Sequence, residues 1–452
     1  MVQPVAFELV FPFVNQMILE IGVVDDPERV GFYSGLIESM FSFMSFLAVM
    51  PCSYLSDHYG RKPVILLGTA GVAISTPLFG LSRTFWFMVV TRCLGGTSGG
   101  SWSATKIMLA EMTDKTNQGR AFSGLSVSYR LGQLIGQPLG GYLSHPERRW
   151  SWFQSPFWYD YPYSLPCFVA GAFAITAVIF GYFFIQETLA SKRSKRPSKT
   201  VNFGTTTPPE NGETSASVSD ITNVEEYTRP PLRSVLTANV ISLLLSTFAM
   251  VLQSEMLFAL YPLFAFTPVH SGGLGVNEAT IGAHMAIRSV INIALMVSYE
   301  PFQRRLGTVR LYQTNMAIWP ISVALMPTLN YLARVGLQSS WLFDVVLVTF
   351  FTVWSFASLT WTGCGIMVND SAPSAAALAA INGVSQMTIV LPQAIAPAFV
   401  TSLFAYSIKS GIAHGHLIWI FTLAFSTTAA IHSMTLKEPS HDWRQDLKNH
   451  SD

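Results

Sequence analysis

Six apolar runs, each close to bilayer length, lie at roughly 4–24, 32–56, 63–82, 84–110, 121–143 and 164–186. Six more lie at about 234–262, 280–302, 309–329, 342–367, 376–404 and 415–435. A helix needs about 20 residues to cross the hydrocarbon core of a bilayer. No water is available there, so each span must satisfy its own backbone N–H and C=O groups, and helices are the default. The expectation is an all-α polytopic membrane protein: twelve transmembrane helices in two six-helix bundles with pseudo-symmetry. Composition agrees, since only 12% of the residues are charged, against about 25% in soluble domains.

The runs divide the chain into an N-terminal bundle over 1–186 and a C-terminal bundle over 234–436. Between them, 187–233 holds Lys192, Arg193, Lys195, Arg196 and Lys199, then a Ser/Thr/Pro/Glu tract with few apolar residues. Such a segment cannot bury a core and is expected to be a disordered cytoplasmic linker. Residues 437–452 form a short cytoplasmic tail. With both termini inside, the inner segments carry 18 Lys and Arg residues and the outer ones six, and by the positive-inside rule this is the expected orientation. The first helix is expected to be cut short, because Glu8, Pro12 and Asn15 already interrupt it so close to Met1.

A net charge of +1 leaves no basic face for nucleic acid. Cys52, Cys93, Cys167 and Cys364 lie far apart without a CxxC pair, so neither a zinc site nor a disulfide framework is expected. His270, His414 and His416 lack acids at metal-ligand spacing. No metal and no bound cofactor are expected, and a proton gradient is the expected driving force. No convergent catalytic pair lies within the spans, so an enzyme is not expected.

Two turns and two helices carry the chemistry. Asp57-His-Tyr-Gly60-Arg61-Lys62 is a charged turn wedged between the second and third runs. Charge so close to hydrocarbon is costly and belongs at an aqueous face, and Gly60 permits a tight turn with positive φ. Helix four holds Arg92 with Gly95, Gly96, Gly99 and Gly100, and ends on Glu111 and Asp114. Helix five holds Gly132, Gly136, Pro138, Gly140 and Gly141. Its glycines at i, i+4 and i+8 share one face, where another helix can approach closely.

These stretches resemble the major facilitator superfamily. Its loop pattern between helices two and three is G-x-x-x-D-R-x-G-R-[RK]. Asp57, Gly60, Arg61 and Lys62 match it, while Ser53 and His58 depart. Its antiporter signature in helix five is G-x-x-x-G-P-x-x-G-G. All four glycines match and the proline stands one place late, at Pro138. Arg92 and its glycines are similar to the helix-four motif proposed to influence proton transfer. The second half repeats the loop weakly, as Gln303-Arg304-Arg305-Leu306-Gly307-Thr308. The narrower likeness is to fungal general-substrate facilitators and plant zinc-induced facilitator-like proteins. It rests on Pro12-Phe-x-Asn15, Tyr33 to Ser39, Glu111-Met-Thr-Asp114, Glu187-Thr-Leu189 and Asn382-Gly383.

The resemblance implies a monomeric secondary transporter in the plasma or vacuolar membrane, of the drug:proton antiporter type. It would move a small organic molecule or metal chelate outward by alternating access, with lipid as its surroundings. The family's charge relays place Asp57, Arg61, Glu111 and Asp114 together at the inner gate. Asp57 is then expected to dock on the start of helix eleven near Ser374 in the outward-facing state. Among intramembrane polar groups, Glu38, Glu255 and His284 are candidates for the titrating group, because a low-dielectric cavity can move protonation toward neutral pH. Arg130 and Arg288 are their candidate partners. A non-transporting sensor with the same fold, or a truncated inactive paralogue, are the alternatives.

Overall fold

The computed structural model describes residues 1–113, 118–188, 236–371 and 375–437, and those residues are helical with no β-strand among them. Eight helices are each long and apolar enough to cross a membrane unaided. Span 2 is Val30–Tyr59, span 3 Arg61–Gly80, span 6 Ser164–Phe184 and span 7 Ala238–Phe266. Span 8 is Glu278–Val297, continued by Tyr299–Leu306, and span 9 is Thr308–Arg334. Span 10 joins Trp341–Ala357 to Thr360–Asp370, and span 11 is Ala375–Ser410.

The other four spans have a physical reason for falling short. Span 1 is two pieces, Val2–Glu8 and Val14–Glu20, because Pro12 has no N–H to give the helix. Span 4 breaks at Gly99–Gly100 into Phe85–Gly99 and Ser101–Met112. Span 5, Gln118–Leu143, is continuous but carries Arg130, Gln133 and Gln137. Span 12, Leu417–Ser433, is apolar but only 17 residues long. With these four included, the described residues make twelve spans, in two groups of six on either side of 189–235. The polar tract expected to be a linker lies, from residue 189 onward, outside the described residues, and so does the tail from residue 438.

The two groups share backbone landmarks. Gly60 between spans 2 and 3 has φ +111°, and Gly307 between spans 8 and 9 has φ +79°. Both turns thus use the positive-φ conformation that glycine adopts without a steric penalty. The fourth span of each group, span 4 and span 10, is broken mid-way. These correspondences make each group a lobe of one repeated design.

The lobes meet along two seams, span 2 with span 11 and span 5 with span 8. Glycines set the distance. A Cβ on Gly35 would fall 2.7 Å from the Pro397 carbonyl oxygen, and one on Gly141 would fall 2.2 Å from the Glu278 carbonyl oxygen. Gly31 faces Thr401, and Gly282 faces Gln137 and Gly141. The Ser39 hydroxyl accepts the Ala398 N–H at 2.9 Å, and Ser271 donates to Glu28 at 2.6 Å. These contacts lie in the half of the molecule away from the Gly60 turn. At the Gly60 end, Ser101–Met112 of span 4 and Thr360–Asp370 of span 10 share no packed interface among the described residues. Among the described residues the lobes are therefore sealed together at one end and, between spans 4 and 10, parted at the other.

Gly141→Leu places side-chain atoms where span 8 backbone lies, and backbone cannot move aside cheaply. In a background without native cysteines, Ser289→Cys sits buried beside the seam. Adding Gly141→Leu is expected to make it react with a membrane-impermeant maleimide added at the sealed side. Unchanged labelling would count against the seam.

Candidate functional site

The Gly60 turn is held by charges of its own lobe. The Arg61 guanidinium lies 2.6 Å from the Asp57 carboxylate and 3.0 Å from that of Glu111 on span 4. Its side chain is only 8% exposed, and two carboxylates offset the cost of burying the cation. Glu187, just past span 6, accepts the backbone N–H groups of Arg61 and Lys62 at 2.9 and 3.1 Å. Its carboxylate thus caps the start of span 3, where free N–H groups and the helix dipole favour an anion. Thr188 donates to the second oxygen of Glu111, and Lys62 donates to the Tyr182 carbonyl at 2.6 Å.

The expected docking of Asp57 on the start of span 11 belongs to the outward-facing state, which is not the conformation described. In this conformation Asp57 pairs with Arg61 and is otherwise two-thirds exposed, because the lobes are apart at this end. It is Glu187 that supplies the anion at a helix start. The start of span 11 with Ser374, and Asp114, lie outside the described residues.

The helix-four and helix-five glycines are packing faces. Gly96, Gly99 and Gly100 lie against Phe41, Ser45 and Ala48 of span 2. Gly132, Gly136 and Gly140 lie against Pro4, Val5 and Leu9 of span 1, while Gly141 meets Glu278 across the seam. Pro138 sits within an unbroken helix.

Between the lobes lies a hydrogen-bonded chain centred on Glu8, which is 1% exposed. The Glu8 carboxylate accepts from the side-chain amides of Gln133 at 2.6 Å and Gln137 at 3.0 Å. The Gln133 oxygen accepts from Arg130 at 2.9 Å. The Gln137 oxygen accepts from Ser289 of the other lobe at 3.2 Å. Each amide can serve Glu8 only with its NH2, so its oxygen must find a donor, and both do. Gln137 stands where the antiporter signature has its proline, and this departure supplies the link across the seam.

Four more ionisable groups surround the chain. Arg288 lies over the Trp354 and Phe258 rings at 4.2 and 5.2 Å, and its charge is felt at Glu8, Glu255 and Arg130. Glu255 accepts from Gln393 at 3.2 Å, a link between spans 7 and 11. Glu38 is 2% exposed, and one of its oxygens has no hydrogen-bond partner. Arg92 lies over Phe79 at 4.9 Å and Phe41 at 5.6 Å and faces the charge of Glu38, while two of its nitrogens lack a partner. Three buried carboxyls, Glu8, Glu38 and Glu255, thus lie within reach of the charges of three buried guanidiniums, Arg92, Arg130 and Arg288. His284 stands apart: its ring bonds the Tyr261 hydroxyl at 2.7 Å, and the one charge it feels is that of Asp344. Among the described residues no cluster of His, Cys, Asp and Glu could hold a metal ion.

Gln133, Gln137, Ser289 and Gln393 escape the sequence reading. The available signal was the i, i+4 pair of glutamines, each one residue after a face-forming glycine.

Two lobes of six spans enclosing balanced charge define a secondary membrane carrier. The chain belongs to the Major Facilitator Superfamily, whose family model matches residues 7–298. It is 30% identical to the major facilitator-type transporter psiT2 of Psilocybe cyanescens, over 96% of this chain and 88% of that protein. It is 31% identical to the efflux pump azaK of Aspergillus niger, over 93% and 82% of the two chains. Protein ZINC INDUCED FACILITATOR-LIKE 1 of Arabidopsis thaliana is 26% identical, over 88% of this chain and 80% of its own. The fold matches a D-xylose-proton symporter with a TM-score of 0.65, at 13% identity over 96% and 95% of the chains. This chain is accordingly an integral, multi-pass membrane transporter of small molecules and not an enzyme.

The Gly60 network ranks its members by burial. Glu187→Ala is expected to cost about 1 kcal/mol, the size of a lost helix cap. Asp57→Asn, at the surface, should cost no more than about 0.5 kcal/mol. Thermal unfolding of the two purified variants checks the order, and a larger loss for Asp57→Asn would reverse it.

Proposed function

We propose that this protein is a proton-coupled exporter of a small organic molecule or metal chelate, working by alternating access. The observation that carries the reading is Glu8. It is a buried carboxylate held by glutamines of its own lobe, and one of those glutamines is bonded to Ser289 of the other. Adding or removing a proton at Glu8 changes the charge balance with Arg130 and Arg288, so the proton and the lobe contact are linked. Glu38 and Glu255, whose charges are felt at the same place, would share the task.

The described conformation is the inward-facing stage of the cycle, with the sealed end outward and the Gly60 turn and both termini in the cytoplasm. This orientation rests on the Lys and Arg asymmetry. The protein would act as a monomer, since each chain has both lobes of the site, in the plasma or vacuolar membrane. In the outward-facing stage the parted lobes would close at the Gly60 turn, and Asp57 would exchange its exposure for contact with the other lobe. Efflux rather than uptake is supported by the glycine pattern of span 5 and by the likeness to an efflux pump and to a multidrug transporter of Aspergillus fumigatus, at 28% identity.

A growth and accumulation screen over drugs and metal chelates, in a host without its own exporters, identifies a substrate. With that substrate in reconstituted vesicles, Glu8→Gln is expected to reduce substrate-driven proton flux by about tenfold or more. Glu38→Gln is expected to blunt it. Asp57→Asn should stop transport while leaving the protein stable. Wild-type proton flux in Glu8→Gln would refute its role.

A further inference from the structure

At the sealed end, away from the Glu8 chain, a second polar cluster centres on His145 in the connection between spans 5 and 6. His145 is 3% exposed and holds the left-handed conformation at φ +54°. Its backbone N–H bonds the Pro162 carbonyl at 3.0 Å, which pins the turn. Nδ1 lies 2.9 Å from the Glu147 carboxylate, and Nε2 lies 3.2 Å from the Glu20 carboxylate at the end of span 1. Tyr163, at the start of span 6, donates to that same Glu20 oxygen at 2.6 Å. Its hydroxyl hydrogen is thereby engaged, although the hydroxyl oxygen also lies 3.1 Å from Nε2.

This geometry decides the protonation state. A neutral imidazole has one N–H and one lone pair. Here Nδ1 faces the Glu147 carboxylate, and Nε2 faces the oxygen of the Tyr163 hydroxyl, whose hydrogen is already given to Glu20, so both ring nitrogens meet acceptors. Only the imidazolium donates to both. Burial alone would push the His145 pKa down, but the hydrogen bond and charge of Glu20, followed by the bond to Glu147, outweigh it and hold it above 6.5. Glu147 is itself buried, with one oxygen lacking a hydrogen-bond partner.

The other charges facing the cluster are few. Arg148 reaches Glu20 and Glu147 only at 3.5 Å and is mostly exposed. Arg149 turns away onto the Tyr142 carbonyl. Across the seam the charge of Glu278, at the start of span 8, is felt at Tyr163. With His145 protonated, the Glu20 and Glu147 charges are offset. Without that proton, the Glu20 and Glu147 charges are offset only by the largely exposed Arg148, while the charge of Glu278 on the other lobe is felt at the adjoining Tyr163.

We propose that His145 is a proton-operated positioning residue of the sealed end: its proton favours the closed seam, and losing it favours opening. Glu20 and Glu147 move with His145 as one lobe, so the sign comes from Glu278 across the seam: a proton on His145 lowers the net negative charge that Glu278 meets when the seam is closed. The contribution is complete below the ordinary histidine range and is lost as pH rises through the raised pKa. In an exporter, protons at the outer side would then promote closure of that side, the step that returns an emptied carrier inward. The proposal rests on the proposed alternation of the two ends but on no particular substrate.

The test uses the full chain in nanodiscs without substrate, in a background free of native cysteines. Spin labels at Asp25→Cys and Ser410→Cys, on opposite lobes at the sealed end, report opening by double electron–electron resonance. Measurements run from about pH 5.5 to about pH 8.5, spanning the histidine range. The short distance is expected to dominate in acid and to give way to a longer one with a midpoint above 6.5, by at most tenfold per pH unit for one proton. His145→Gln should flatten the profile, and Glu147→Gln should move the midpoint to lower pH. If His145→Gln does not fold, the Glu147→Gln shift decides. A wild-type midpoint retained in these variants would overturn the role of His145 and leave the carrier cycle standing. A sealed end that opens at no pH would overturn the role of His145 and count against alternation itself.

Discussion

Charge buried in a low-dielectric interior is the constraint on which this structure turns. An uncompensated ion there costs several kcal/mol, so Glu8, Glu38 and Glu255 can carry charge in the bundle centre only where Arg92, Arg130 and Arg288 offset it. The matching is not confined to one lobe. Arg288 and Glu255 belong to the second, the others to the first, and the Glu8 chain ends on Ser289 of the second. The lobes are therefore joined where charge has to be balanced, and any change in that balance is a change in how they fit. Aromatic faces complete the setting, with Arg92 over Phe79 and Arg288 over Trp354, where the ring face attracts a cation that lacks enough hydrogen-bond acceptors.

Glycine turns that electrostatic link into a mechanical one. At the seams, backbone meets backbone over Gly35, Gly141 and Gly282, a close van der Waals contact tied by a few hydrogen bonds such as Ser39 to Ala398 and Ser289 to Gln137. Such surfaces can part and re-form as units, which suits a two-state device better than an interdigitated core. At the other end the Arg61 network is satisfied within one lobe, so that end can stand open at little cost. The cost of each state is thus met locally, and the difference between the two states is left to a few protonation and contact terms.

Much of this was legible in the sequence, for reasons that can be named. Span positions follow from apolar runs of bilayer length, because the bilayer imposes the same requirement on every segment. Gly60 and its positive φ follow from charge on both sides of a turn that must be tight. What was not legible needs residues distant in sequence. Glu187 caps span 3 from 126 positions away, and His145 meets Glu20 and Tyr163 through three different spans. Pro12 was visible, but the sequence alone reads it as part of a shortened helix, whereas the structure makes it the break between two stacked pieces of span 1. Gln133 and Gln137 look like ordinary polar residues on a glycine-rich face until Glu8 is placed against them.

The central proposal is that the buried charges between the lobes couple an outgoing substrate to an incoming proton, so that binding one displaces the other. Its most direct test is proton counting with purified transporter in weakly buffered detergent solution, using a pH indicator dye while a transported compound is added. Release of protons on binding, largest near neutral pH and lost in Glu8→Gln, is the predicted result. Binding that releases no proton at any pH between about 5.5 and about 8.5 would contradict the account.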